Sequence, residues 1–326
     1  YSSGWTDRTG SVTITAGDDN TFEWVRSFQK LILTNGVDPP IKWTGSGNVT
    51  ALDVDSRFTT ASHVGYWDNR VWLGNTNANS DRLWYSDAGD PETWGSTSFY
   101  NFGAPITAIV PMQNALSVHT EDAIYTLIPT GNATIPYQRQ QRTSSDPRNP
   151  QRGGTISGRA VVVLPGNIQV FPLEDGIYMW SGGDTIDKVS YALDEGYWDR
   201  LVASRLAESF AIYYATEDEI WFFLAYGTGQ TKFNHVMILS TKHLYQDAST
   251  GETRMAWYGP YENGTSFERN TAAIIDNKPH AGDYDGIVFD HAPDNTYNDA
   301  STAYGSYFET SAIAPFGADV DLRWLY

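Results

Sequence analysis

One strand type returns along this chain at nearly constant spacing, and that periodicity constrains the fold more than any other feature. Its copies are Ile41-Lys42-Trp43, Leu83-Trp84-Tyr85, Ile124-Tyr125-Thr126, Ile177-Tyr178-Met179, Ile220-Trp221-Phe222 and Ile287-Val288-Phe289. Each sets an Ile or Leu close to an aromatic or apolar residue after a polar turn. Counted through Trp43, Trp84, Tyr125, Tyr178, Trp221 and Val288, the intervals are 41, 41, 53, 43 and 67 residues. Three of them match the roughly 40–45 residues of a four-stranded propeller blade. The spacing predicts an all-β propeller of about six blades (five to seven), with Trp43, Trp84, Tyr125, Tyr178 and Trp221 in blade cores. A pair of β-sandwich sheets is the competing arrangement. It also gives turns every 8–12 residues, but no reason for one aromatic strand to recur at blade intervals.

The two long intervals contain insertions: the polar, Pro-punctuated stretch 138–154 and the Gly-, Thr- and Ser-rich stretch 227–254. Both are expected to project from the blades. Elsewhere, alternating β-branched and aromatic runs such as Arg70-Val71-Trp72-Leu73-Gly74 and Ala160-Val161-Val162-Val163-Leu164 read as short antiparallel strands. Helical spacing occurs once, at Leu193, Tyr197, Leu201, Val202 and Leu206, and predicts one short helix near 190–206. Residues 1–303 read as the propeller. Tyr1 to Gly10 reads as the last strand of a first blade incomplete at its N-terminus. Residues 304–326 read as strands closing the propeller or leading into a further β domain.

Composition removes several classes of function. Aromatic residues make up 14% of the chain, against the scarcity typical of disordered chains. No apolar run approaches the roughly 18 residues of a membrane-spanning helix. Cysteine is absent, which excludes disulfide scaffolds, thiolate metal sites and cysteine nucleophiles together. The formal net charge of −18 opposes binding to nucleic-acid phosphates over most of the surface.

Catalytic and metal motifs are weak throughout. There is no G-x-S-x-G, no phosphate-binding P-loop and no H-E-x-x-H. Gly227 to Lys232 lacks P-loop spacing and leads into a strand, so it reads as a hairpin. Ser86 to Trp94 evokes the Asp-box turn of sialidase propellers with shifted offsets, and reads as a structural turn. The six histidines (63, 119, 235, 243, 280 and 291) form no ligand-spaced pair. Asp283-Tyr284-Asp285-Gly286 begins like a calcium loop but lacks the closing bidentate Glu. Three N-x-[ST] sequons, at Asn48, Asn132 and Asn263, are ordinary for so Thr- and Asn-rich a chain. No cofactor, no metal and no catalytic residue is expected.

One stretch departs from the acidic background. Residues 138–152 carry Arg139, Arg142, Arg148 and Arg152 against Asp146 alone, a local +3. Contact with a phosphate backbone or an acidic neighbour is one reading. A solvated loop is the other.

Several strings resemble tailed-bacteriophage virion proteins, and they occur in the order found there. They are residues 31–43 (LILTNGVDPPIKW), 70–75 followed by 82–94 (RLWYSDAGDPETW), Asp175 to Trp180, Glu219 to Phe223, Ala272 to His291, and the closing Arg323-Trp324-Leu325-Tyr326. The resemblance is to tail-hub or tail-nozzle proteins of the phage "stabilisation protein" kind. It implies a structural, non-enzymatic β-propeller of the virion, assembled with copies of itself in a ring, six-fold in short-tailed phages, around the DNA exit channel. Its neighbours would be other tail or adaptor proteins and tail fibres, with transient contact to genomic DNA during ejection. An acidic channel wall suits that role, because a passage for a genome must not bind it. Two rival classes are a glycan-binding or glycan-cleaving propeller used in host attachment, and a bacterial cell-surface propeller.

Overall fold

The structure, a computed structural model, describes residues 7–54, 56–143, 153–193, 195–246, 251, 253–261 and 267–291, and strand pairs beyond them. Six antiparallel sheets succeed one another, each built from strands adjacent in sequence. The first comprises β1 (Glu23–Ser27), β2 (Lys30–Thr34), β3 (Ile41–Trp43) and β4 (Thr50–Ala51). The second comprises β5 (Ala61–Trp67), β6 (Arg70–Thr76), β7 (Arg82–Tyr85) and β8 (Phe99–Asn101). β9 (Ile106–Pro111), β10 (Leu116–Thr120), β11 (Ile124–Pro129) and β12 (Tyr137–Gln141) form the third. β13 (Val162–Leu164), β14 (Ile168–Leu173), β15 (Gly176–Trp180) and β16 (Asp187–Lys188) form the fourth. β17 (Phe210–Tyr214), β18 (Glu219–Leu224), β19 (His235–Gln246) and β20 (Thr253–Tyr261) form the fifth. The sixth holds β21 (Thr271–Ile275), β22 (Lys278–Gly282) and β23 (Val288–Asp290). These are the blades of a six-bladed β-propeller. Asn298–Asp299 pairs with Thr302–Ala303, and Tyr307–Glu309 with Arg323–Leu325.

Hairpin chemistry explains the meander. The β1–β2, β5–β6 and β21–β22 turns place Phe28-Gln29, Asp68-Asn69 and Asp276-Asn277 at positive φ. Two successive residues in that region make the turn whose twist matches paired strands, and Asp and Asn tolerate it better than most side chains. The single helix expected near 190–206 is instead two one-turn helices, α1 (Glu195–Trp198) and α2 (Ala203–Leu206). Between them Leu201 bridges to Tyr226, and the Val202 N–H donates to the Ala225 carbonyl at 2.9 Å. Strand-like pairing at 200–202 breaks the helical run. No described helix is long and apolar enough to cross a membrane.

Two further expectations meet a different structure. The first blade has all four strands between Glu23 and Ala51, and described residues 7–10 form no strand. The stretch 138–154 is not all insertion: its first residues belong to β12, the fourth strand of the third blade. The stretch 227–254 is not all insertion either: His235 to Ser240 form the buried half of β19, the third strand of the fifth blade, and only the distal part of β19 with the start of β20 makes an extended hairpin.

The chain divides into two compact units, residues 1–199 with 203–211, and residues 200–202 with 212–326. In the first unit, β1, β5 and β9 lie side by side. Ile32, Leu52, Phe58, Val64, Leu73 and Trp84 fill the space between the first two blades. Trp67, Trp72, Tyr85, Ile106, Ile109 and Tyr137 do so between the second and third. Gly65 is required there, since a Cβ would stand 2.5 Å from Ile109 Cγ2. Ile124, Phe171, Tyr178 and Trp180 join the third and fourth. Ser86 to Trp94 is a turn, as its sequence suggests: Asp90 accepts the Glu92 N–H at 2.9 Å and the Thr93 hydroxyl at 2.8 Å. It also staples two blades. Glu92 pairs with Lys30 at 2.6 Å and with Lys42, and the Trp94 indole N–H donates to the Asp53 carbonyl at 3.1 Å. Burial pushes the Glu92 carboxyl up, but its bonds to the two lysines outweigh that and hold it low.

In the second unit, Phe222, Phe223, Val236, Ile238 and Leu239 make the core. Arg269 is buried there, its guanidinium 4.3 Å from the Phe267 ring and 4.0 Å from the Phe289 ring. Its Nε lies 3.3 Å from His291 Nε2. Cation–π contact and hydrogen bonding are what make a buried cation tolerable.

Candidate functional site

The arginine segment is the first candidate. Arg139 lies on β12, where its Nη1 donates to the Asn101 carbonyl and its guanidinium sits 5.6 Å from the Phe102 ring and 5.7 Å from the Tyr125 ring. Arg142 follows β12, and its Nε donates to Thr126 Oγ1 at 2.9 Å. Arg148 and Arg152 lie outside the described residues. The two described arginines thus belong to the third blade, bound to its strands, with Arg139 on the exposed side. Of the five recurrent aromatics, Trp84 and Tyr178 are buried, while Trp43, Tyr125 and Trp221 are half-buried. Four of them sit on the third strand of a blade; Trp221 sits on β18, a second strand.

A denser charged cluster lies elsewhere in the first unit. A cavity of about 120 Å³ is lined by Asp19, Thr21, Glu23, His63, Arg159 and Glu208 among others. β1 supplies Glu23, β5 supplies His63, the 3-10 turn Gly158–Ala160 supplies Arg159, and Glu208 follows α2. His63 Nδ1 lies 2.9 Å from Glu23 Oε1. Arg205 Nη1 lies 2.6 Å from Asp19 Oδ1 and 2.5 Å from Glu208 Oε2. Arg159 Nη1 donates to Thr21 Oγ1 at 2.9 Å. Burial raises the Glu208 carboxyl; Arg205 opposes that, and the neighbouring Asp19 adds to it. The arrangement is an ion-pair network that ties distant segments together. No motif marks it in the sequence, because its members come from four separated stretches.

A second cavity, of about 280 Å³, belongs to the fourth blade and is lined by Glu174, Asp175, Lys188, Ser190, Trp198 and Asp199 among others. The Tyr178 hydroxyl donates to Asp175 Oδ2 at 2.9 Å, and the Trp198 indole N–H to the Glu174 carbonyl at 2.6 Å. Burial raises the Tyr178 phenol, and its bond to the Asp175 carboxylate raises it further.

The histidines are dispersed. His119 is fully buried on β10, where Nδ1 accepts the Thr155 N–H at 3.1 Å and Nε2 lies 2.6 Å from Gln169 Oε1. Burial lowers it to about 4, partly offset by the Gln169 bond, so it is neutral at physiological pH. Asp283 spends one carboxylate oxygen on its own turn, accepting the Asp285 and Ile287 N–H groups at 2.9 and 2.8 Å. Among the described residues, no group of three or more His, Asp or Glu side chains is placed to hold a metal ion.

By sequence, no family profile and no curated protein matches this chain. Solved structures do. The extracellular domain described as that of the one-component system BT4673 from B. thetaiotaomicron matches with a TM-score of 0.55 at 10% identity, over 89% of this chain and 33% of that one. The β-propeller domain of Cps50 (Swd1) from Myceliophteria thermophila matches with a TM-score of 0.51 at 10% identity, over 85% and 86%. The chain therefore spans about a third of the first of these proteins. At this identity the similarity shows the propeller fold alone.

Proposed function

We propose that this chain is a structural, non-enzymatic component of a bacteriophage tail, a propeller of the hub or nozzle ring through which DNA leaves. One observation carries the reading: the strings that resemble tail proteins lie in order on the first, second, fourth, fifth and sixth blades. Residues 31–43 span β2 and β3, residues 82–94 span β7 and the turn docked on the first blade, and Asp175 to Trp180 covers β15. Here they do architectural work, as Glu92 and Trp94 show by holding the second blade to the first. The net charge of −18 supports the same reading, since an acidic wall lets DNA slide. Copies of the chain, other tail proteins and tail fibres are the proposed partners, and the virion tail is the proposed location.

Electron microscopy and sedimentation velocity of the purified chain test this. Rings with a central opening are the expected result, together with no retention on a glycan panel. A monomer at every concentration, or specific binding or cleavage of a glycan, would overturn it in favour of the host-attachment reading.

A further inference from the structure

The chain contains two Asn-Gly pairs, Asn35-Gly36 and Asn263-Gly264. Such a pair is chemically labile. The glycine nitrogen, with no Cβ to shield it, attacks the asparagine Cγ and closes a five-membered imide. One C–N bond forms, and Nδ2 leaves as ammonia. Water then opens the ring at Cγ to give aspartate, or at the backbone carbonyl to give isoaspartate. The net change takes up one water and releases one ammonia, and nothing is oxidised or reduced.

At Asn35 the fold engages every reacting group. The pair opens the turn between β2 and β3, and the turn calls for glycine because Gly36 sits at φ 78°. The Gly36 N–H donates to the Ala61 carbonyl on β5 at 2.8 Å. Asn35 Oδ1 accepts the Val37 and Asp38 N–H groups at 3.1 and 2.8 Å, and Nδ2 donates to Asp38 Oδ2 at 2.9 Å. Ring closure must free the Gly36 nitrogen from Ala61 and turn Cγ onto it, away from Asp38. Both steps need the turn to open.

Asp38 also holds a second segment. It is buried, and its carboxylate accepts the Thr15 N–H at 3.0 Å and the Thr15 hydroxyl at 2.6 Å. Burial pushes the Asp38 carboxyl up, but the bonds from Thr15 and Asn35 outweigh that and hold it low. The stretch ahead of β1 is thereby clamped to the turn. An acid at position 35 replaces the donor Nδ2 by a carboxylate oxygen facing Asp38 Oδ2. Two carboxylates in that position repel, the more so where one is buried.

We propose that Asn35-Gly36 is a self-modification site which the fold keeps closed, and that its conversion to an acid releases the clamp on Thr15. In the folded chain the reaction runs only from the open turn, so its rate follows the population of that local opening. The product cannot re-form the Asn35–Asp38 bond, so the release is one-way.

Peptide mass spectrometry during incubation at mildly alkaline pH tests the closed site. In urea, Asn35 and Asn263 should convert at similar rates, which calibrates the chemistry. In the folded chain Asn35 should convert at least about tenfold more slowly than it does in urea. Hydrogen exchange tests the clamp. Asn35→Asp should speed exchange of the Thr15 amide about tenfold or more, and Asn35→Ala, which loses the same donor without adding a charge, should speed it less. If Asn35→Asp does not fold, the same exchange is read on wild-type chains aged until Asn35 has converted. Conversion at Asn35 as fast in the folded chain as in urea overturns the closed site. Thr15 exchange unchanged by an acid at position 35 overturns the release.

Discussion

Asp19 and Arg205 stand 186 positions apart in the chain and meet at 2.6 Å. The same guanidinium nitrogen lies 2.5 Å from Glu208, and Arg159 reaches Thr21 from a different blade. Two arginines therefore hold the segment ahead of β1 against the loop after α2, within one compact unit. Loops that long are costly to close by chance, and a shared cation between two carboxylates gives the closure a specific geometry.

Removing the cation should cost more than removing either anion. Arg205 is only 11% exposed at its side chain, whereas Asp19 is 59% exposed. Arg205→Ala leaves Glu208 without its cation and should lower unfolding stability by about 1–2 kcal/mol, below the figure for a fully buried pair. Asp19→Ala should cost less than about 1 kcal/mol. Urea unfolding of both variants measures this. Equal losses would show that Arg205 is not the shared element.

His119 should make the protein acid-sensitive. Its folded value is about 4, below an ordinary histidine near 6.5, so the unfolded chain binds the proton more tightly. Stability is therefore whole above about pH 6.5 and falls as the pH drops toward 4, by up to about 3 kcal/mol. His119→Gln cannot titrate. It should be less stable than wild type at neutral pH, having lost fitted hydrogen bonds, yet flatter between pH 6.5 and 4. Parallel pH profiles for the two proteins would remove His119 as the cause.

Gly154 marks a close backbone approach between the third and fourth blades. A Cβ there would stand 2.0 Å from the Thr120 carbonyl oxygen and 2.8 Å from that of Ala123. Both are backbone atoms, and the Ala123 carbonyl is held where it is by accepting the Thr120 N–H and hydroxyl, at 2.9 and 3.1 Å. Gly154→Ala should cost more than about 2 kcal/mol. Gly183→Ala, with open space around its Cβ, should stay within about 0.5 kcal/mol. Thermal unfolding of the pair separates a steric cause from a general loss of glycine.

The blade architecture was legible because four of its third strands repeat one chemistry, at Trp43, Trp84, Tyr125 and Tyr178. The phase slipped at Trp221, which lies on a second strand. A two-residue alternation looks the same in second and third strands, and β19 carries no aromatic in its buried half to mark it. The helix near 190–206 was overestimated because apolar spacing does not report that Leu201 is claimed by a bridge to Tyr226. The Asp19–Arg205–Glu208 network left no trace in the sequence. Isolated carboxylates and arginines are common, and only the fold brings these three together.

DNA contact by the arginine segment is the remaining test. The third blade already uses Arg139 and Arg142, so replacing them by Ser should cost stability, about 1 kcal/mol each from lost hydrogen bonds and ring contacts. Folding and binding must therefore be separated. Lys keeps the charge but loses the fork that bonds Asn101 and Thr126. If the segment touches phosphate, Arg139→Lys/Arg142→Lys should retain DNA affinity despite some loss of stability. Arg148→Ser/Arg152→Ser should lower that affinity. Wild-type binding should be weak and lost by moderate salt, with a log–log salt slope of at most about 4, one for each arginine. A steeper slope, or salt-resistant binding by the variant lacking all four arginines, would place the DNA contact elsewhere on the chain.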